Sequence, residues 1–153
     1  MTQPLRIVID SREQRPWRFP ADVEPMPGSL DTGDYSLAGL EHLAAIERKS
    51  LADFCGCCGR ERDRFQRELQ RLKAYKCRAV IIEATMGDVA AHRYRSKIAP
   101  ASVLGSAAAW QTRYGTPFVW AENREQAAHY ALLILRGFHR DCLRFAKTMA
   151  ARA

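Results

Sequence analysis

Apolar and polar positions along the chain fall into two periods, one near two residues and one near 3.6. LRIVID, from Leu5 to Asp10, is a short apolar run ending in an acid, the pattern of a buried strand. SREQRPWRFP leaves that strand, and Pro16 and Pro20 exclude regular structure. PMPGSLDTG reads as a turn-rich connection. DYSLAGL and HLAAIERKS each read as a strand, joined by a glycine-containing turn into an antiparallel hairpin. Ser50 is placed to cap a short helix over SLADFCGCCG. From Arg60 to Lys76, Phe65, Leu69 and Leu72 recur at i, i+4 and i+7, which predicts a helix with one apolar face. CRAVIIEA predicts a second buried strand, MGDVAAHRY a short helix and RYRSKIAP a basic loop. ASVLGSAAAWQTRYG predicts a helix stopped by Gly115, and PFVWA a short strand. Asn123 with Gln126 three residues on resembles a capping box opening a last helix that runs to about Lys147. Tyr130, Leu133 and Phe138 mark its core face, with a second apolar edge at Leu132 and Leu135; Trp110 and Trp120 read as core. This order predicts an α/β fold with a central mixed β-sheet flanked by helices, in one domain over residues 1–153.

Composition agrees with a globular domain: 153 residues, 47% hydrophobic. No apolar run is long enough to span a membrane, and the N-terminus lacks the layout of a signal peptide, so the expected location is cytoplasmic. The net charge of +7 is uneven. The first 59 residues carry more acids than bases, and the remainder is strongly basic. That division suggests a metal-binding centre beside a polyanion surface, with an ordinary basic soluble protein as the plain alternative. Cys55, Cys57, Cys58, Cys77 and Cys142 read as reduced thiols. Cys55 and Cys58 form one Cys-x-x-Cys pair with no second pair, so small apolar positions on a helix are a better reading than structural zinc.

Charged residues on a strand facing a core are usually paired or bind something. Side chains alternate across a strand, so Glu47 and Lys49 share one face and Arg48 takes the other. In the predicted hairpin Asp34 approaches Glu47. Two neighbouring carboxylates repel unless a cation lies between them, and an all-oxygen donor set favours a hard divalent ion, Mg²⁺ or Mn²⁺. Lys49 would then orient a water and stabilise developing negative charge. Asp10 and Glu13, at the end of the first strand, are positioned to enter the same acidic cluster. This chemistry suits phosphodiester hydrolysis. The alternative is a surface hairpin with a Glu47–Lys49 ion pair of little energetic consequence.

IVIDSRE, GDYSL, ERKSLAD and GRERDRFQREL, in that order, resemble the XPF-type nuclease domain, whose motif is Gly-Asp, a spacer, Glu-Arg-Lys, three residues and Asp. Gly33-Asp34, Glu47-Arg48-Lys49 and Asp53 match it. The resemblance implies a restriction-endonuclease-like fold and divalent-metal-dependent cleavage of DNA. It implies Asp34, Glu47 and the backbone carbonyl of Arg48 as metal ligands, and Lys49 as the residue that positions or activates the attacking water. It also implies Asp10 and Glu13 as accessory acids, Arg12 as a polar residue of the site, Asp53 as an anchor paired with a neighbouring base, and Arg64 as a phosphate contact. Family members usually pair through this domain, so a homodimer or heterodimer is implied. Many relatives that cut branched DNA carry a tandem helix-hairpin-helix module. None is found in this sequence, which resembles minimal members carried by bacteria, phages or prophages.

The basic positions complete the picture. Arg60, Arg62, Arg64, Arg67, Arg71, Lys73 and Lys76 are too lopsided a set for ordinary i,i+4 pairing and predict contact with DNA phosphates. Arg93, Arg95 and Lys97 extend that surface. Tyr94 between them is either a base-stacking residue or part of a plain surface loop. His42, His92, His129 and His139 share no ligand spacing. Two functions remain: a metal-dependent endonuclease acting on DNA, including branched or flap forms, or a non-catalytic DNA-binding partner subunit.

Overall fold

The computed structural model describes residues 3–153. Its centre is a six-stranded sheet in the order β2-β1-β3-β4-β5-β6. The strands are β1 (Leu5–Asp10), β2 (Val23–Gly28), β3 (Tyr35–Leu37), β4 (Ala44–Lys49), β5 (Cys77–Ile82) and β6 (Phe118–Trp120). β3 runs antiparallel to both β1 and β4, whereas β1–β2, β4–β5 and β5–β6 are parallel pairs. The sheet is therefore mixed, as the pattern of elements predicts. The C-terminal ends of β1, β4 and β5 and the N-terminal end of β3 share one end of it.

Helices cover both faces. α1 (Leu51–Cys58), α2 (Arg62–Leu72), α3 (Met86–Ala90) and α4 (Pro100–Tyr114) belong to one side, and α5 (Arg124–Ala150) to the other. Alternation along β4 divides the core. Ala45 joins Val80, Ile82, Phe54, Phe65, Leu69 and Trp110 on the α1–α4 side. Ala44 and Ile46 join Tyr35, Leu37, Ile81, Ala127, Ala131 and Leu135 on the α5 side. Among the described residues, no helix is long and apolar enough to cross a membrane.

Caps fix the helix starts. The Ser50 and Asn123 side chains accept from the backbone N–H groups of Asp53 and Gln126. Gly115, at φ 61°, ends α4 in the left-handed conformation. The helix expected over Arg60–Lys76 is shorter, Arg62–Leu72, and α5 extends to Ala150.

Two expectations need correction. The segment read as a turn-rich connection contains β2, an edge strand paired in parallel with β1. Pro25 and Pro27 are tolerated because they share one lateral direction. The Gly28 carbonyl accepts from Ser11 N–H at 2.7 Å, so residues of its parity face β1 and both prolines face the open edge. On α5 the core face belongs to Ala127, Ala128, Ala131, Leu132 and Leu135, while Tyr130 and Leu133 are exposed. The small alanines let the helix backbone lie close to the sheet, while Leu132, Leu135 and Phe138 pack against it farther along.

Candidate active site

Gly33 and Asp34 enter β3 at the shared end of the sheet, where the register Tyr35↔Ile46 sets Asp34 beside Glu47. The glycine is required by shape. Its φ is +81°, and a Cβ there would stand 3.1 Å from Ala45 Cβ and 3.2 Å from the Ile46 carbonyl oxygen. The Asp34 N–H donates to Ile46 O at 2.8 Å, and Asp34 Oδ2 accepts from Arg48 N–H at 2.8 Å. In a strand the N–H and C=O of one residue face the same edge, so the Arg48 carbonyl opens toward Asp34 as well.

Glu47 is 8% exposed. Burial first, and the Asp34 carboxylate second, push its carboxyl up to about 8. Burial likewise raises Asp34 to about 6, against the opposing hydrogen bond from Arg48 N–H and with Glu13 adding repulsion. Lys49 Nζ lies 3.2 Å from Glu47 Oε1 and 5.2 Å from the centre of the Phe65 ring. Burial is the largest influence and works against its charge, but Glu47, Cys57 and Glu68 together hold the ammonium above its ordinary value. Lys49 is thus a cation throughout the neutral range. It can orient a water or stabilise an anion.

The other acids have different partners. Asp10 is buried, with Oδ2 accepting from Arg12 Nε at 2.7 Å and Oδ1 from Leu30 N–H at 3.2 Å. Arg12 also donates to Leu30 O at 3.0 Å, closing the loop that leads to Gly33. Glu13 Oε2 accepts from Arg48 Nη1 at 3.1 Å and from the Tyr35 hydroxyl at 3.3 Å. Both carboxylates add to the repulsion at Asp34 while being occupied elsewhere.

Asp53 departs from expectation. It is exposed on the first turn of α1 and forms no ion pair with a base among the described residues; its N–H donates to Ser50 Oγ. It lines a cleft of about 360 Å³ with Lys49, Cys57, Arg64, Phe65 and Glu68. Arg64 is the one member of the basic helix in that lining, and it also pairs with Glu61 and Glu68. Arg60, Arg67 and Arg71 are exposed without an ion pair among the described residues, as are Arg95 and Lys97, while Arg93 pairs with Asp88 at 2.9 Å. Arg62 is structural instead. Its guanidinium lies 4.7 Å from the Trp110 ring centre and donates to Ser106 Oγ at 2.8 Å and Cys58 O at 3.2 Å. Tyr94 stacks on His92 at 4.2 Å and donates to Ile98 O, which favours the plain-loop reading.

Two acids escaped the sequence reading. Glu83, just after β5, accepts from Arg48 Nε and, at 2.9 Å, from Trp17 Nε1. Glu68 on α2 has a buried Oε2 without a hydrogen-bond partner and bears on both Glu47 and Lys49. A helix face of mixed charge gives no sign that one of its acids turns inward. Cys55, Cys57 and Cys58 are buried in the core of the α1–α4 side. Among the described residues, no group of three or more His, Cys, Asp or Glu side chains is placed to hold a metal ion.

The Asp34–Glu47 pair, with the main chain of Arg48, nevertheless fits a hard divalent cation. The donors are all oxygen, and a cation would relieve both the burial penalty and the mutual repulsion that raise the two carboxyls.

The ERCC4 domain family matches residues 9–134, and the chain belongs to that family, the XPF-type nucleases that its motif resembles. XPF from Aeropyrum pernix has a similar structure, with a TM-score of 0.68 and 23% identity over 93% of this chain and 69% of that one. XPF from Aeropyrum pernix in complex with DNA is similar to the same degree, TM-score 0.68 and 23% identity, over 90% of this chain and 66% of that one. The chain thus spans about two thirds of the length of each, and the likeness bears on the fold. No curated protein matches.

Proposed function

We propose that this chain is a divalent-metal-dependent DNA endonuclease that hydrolyses phosphodiester bonds at Asp34, Glu47 and Lys49. One observation carries the reading: a carboxylate pair, Glu47 buried and Asp34 half-buried, and a lysine meet at the end of the sheet, on the motif residues of a nuclease family. The solved complex of a structurally similar XPF with DNA supports DNA as the ligand.

Asp34 and Glu47, with the carbonyl of Arg48, would hold the cation. When bound, it neutralises charge at a phosphate and acidifies water. The Lys49 ammonium, held between Glu47 and Phe65, faces the cleft and stabilises negative charge developing on the phosphoryl oxygens. Arg48 holds Glu13 and Glu83 on the opposite face, which fixes β4 and the direction of its two functional neighbours. Arg64 at the cleft, with Arg67 and Arg71 farther along α2, grips backbone phosphates. The exposed Leu143, Phe145 and Met149 of α5 are the surface through which two such domains would pair.

The test is incubation of labelled duplex, flap, fork and single-stranded DNA with Mg²⁺ or Mn²⁺. Cleavage that EDTA abolishes supports the reading. Binding without cleavage of any form contradicts it and favours a non-catalytic DNA-binding subunit.

A further inference from the structure

The cleft at Lys49 has a counterpart across the sheet. A groove of about 720 Å³ lies between residues 15–20 and the first turns of α5, lined by Arg15, Trp17, Arg18, Phe19, Arg124 and His129 among others. Arg15, Arg18 and His129 are exposed, and their side chains make no hydrogen bond or ion pair among the described residues. Glu125 is the one acid in the lining.

The wall is rigid and tied to the site. Arg124 Nη2 donates to the carbonyls of Arg15 and, at 2.8 Å, Pro16. The Trp17 ring stacks on Tyr35 at 4.4 Å, and the Trp17 N–H donates to the Tyr35 hydroxyl at 2.8 Å. Tyr35 follows Asp34 in the chain. Trp17 Nε1 donates to Glu83, which also pairs with Arg124 at 3.9 Å and with Arg48, the residue after Glu47. The groove wall and the acid pair are thus built on consecutive residues at one end of the sheet, facing opposite sides of it.

We propose that this groove binds an unpaired DNA strand that leaves the acid pair on the α5 side, with backbone phosphates against Arg15 and Arg18. The inference rests on the nuclease reading for its choice of DNA, but not on metal or cleavage. Its volume lies in the range of sites that hold a small ligand, which leaves room for a short stretch of one strand. Unpaired guanidinium groups beside a half-buried ring, Phe19, and two prolines give the charge and apolar contact that single strands use. With the basic helix on the other face, the end of the sheet would separate two arms of a branched substrate.

The experiment measures binding in EDTA by fluorescence anisotropy, using a short labelled oligothymidine and a blunt duplex over a range of salt. Arg15→Ala/Arg18→Ala is compared with Arg67→Ala/Arg71→Ala and with wild type, and circular dichroism confirms that each is folded. The expected result is a loss of about tenfold in oligothymidine affinity for the groove variant, with the salt slope falling by about 1.4 for two single-strand phosphates, and duplex binding unchanged. Unchanged oligothymidine affinity and slope, or an equal loss for the duplex, would overturn the proposal. So would displacement of the oligothymidine by micromolar thymidine monophosphate, which would make the groove a nucleotide site. Because no metal is present, failure here leaves the cleavage assay free to succeed or fail on its own.

Discussion

Glu47 Oε1 and Lys49 Nζ stand 3.2 Å apart on one face of β4, while Arg48 between them reaches through the other face to Glu13 and Glu83. One tripeptide therefore carries both the candidate chemistry and the clamp that orients it. Arg48→Ala leaves two largely buried carboxylates without their partner. Breaking such a pair destabilises by about 3 kcal/mol. Urea denaturation of the variant should show that loss, and Arg48→Lys should not restore it, because a point charge cannot reach both acids as the guanidinium fork does.

Gly33 is the hinge of the Gly-Asp pair. Gly33→Ala must hold a left-handed backbone and crowd Ala45 and the Ile46 carbonyl. The conformational cost alone is about 1–2 kcal/mol. The expected outcome is a lower urea midpoint together with loss of metal-stimulated cleavage, since Asp34 moves with the glycine. A variant with wild-type activity would mean that Asp34 is positioned by β3 alone.

The arginines of α2 should separate into two classes. Arg62→Ala loses its contacts with Trp110, Ser106 and Cys58, and should lower thermal stability with little change in the salt slope of DNA binding. Arg67→Ala/Arg71→Ala should leave stability within about 0.5 kcal/mol. The same pair should reduce the slope for duplex DNA by about 1.8. Melting curves and binding isotherms on both variants check this.

Stability without metal should depend on Glu47. A free glutamate ionises near 4.5, whereas in the fold the group keeps its proton to about 8. Between these values the folded state binds the extra proton, so its contribution is fully present below the lower value and lost as pH rises through the upper. In EDTA, wild type should therefore lose melting temperature from pH 5 to pH 8 more steeply than Glu47→Gln. Mg²⁺ should stabilise wild type most at the alkaline end, where the carboxyl no longer holds a proton against it. Parallel slopes for the two proteins would contradict this.

Much of this arrangement was legible in the chain. The run LRIVID, the hairpin around Gly39 and the caps at Ser50 and Asn123 act locally, and the structure reproduces them. The juxtaposition of Asp34 with Glu47 followed from pairing and alternation alone. What stayed hidden depends on the fold. β2 is concealed because Pro25 and Pro27 read as turn residues unless the strand is known to lie at an edge. On α5, Leu132, Leu135 and Phe138 meet the core as their hydrophobicity predicts, whereas Tyr130 and Leu133 do not, because close approach to the sheet selects alanine there. Glu83 and Trp17 join the site across long stretches of chain, and Arg62 is taken from solvent by Trp110 on a helix many residues away. Asp53 matches the motif, yet its carboxylate has no basic partner among the described residues.

The central claim is that Lys49 acts on the transition state at the acid pair. Its direct test is single-turnover cleavage of labelled DNA by wild type and Lys49→Ala in Mg²⁺, beside their DNA affinities in EDTA. The account predicts a rate lower by about 10²- to 10³-fold, the scale of removing one preorganised donor, with affinity nearly unchanged. Equal rates, or a loss explained wholly by weaker binding, would contradict it.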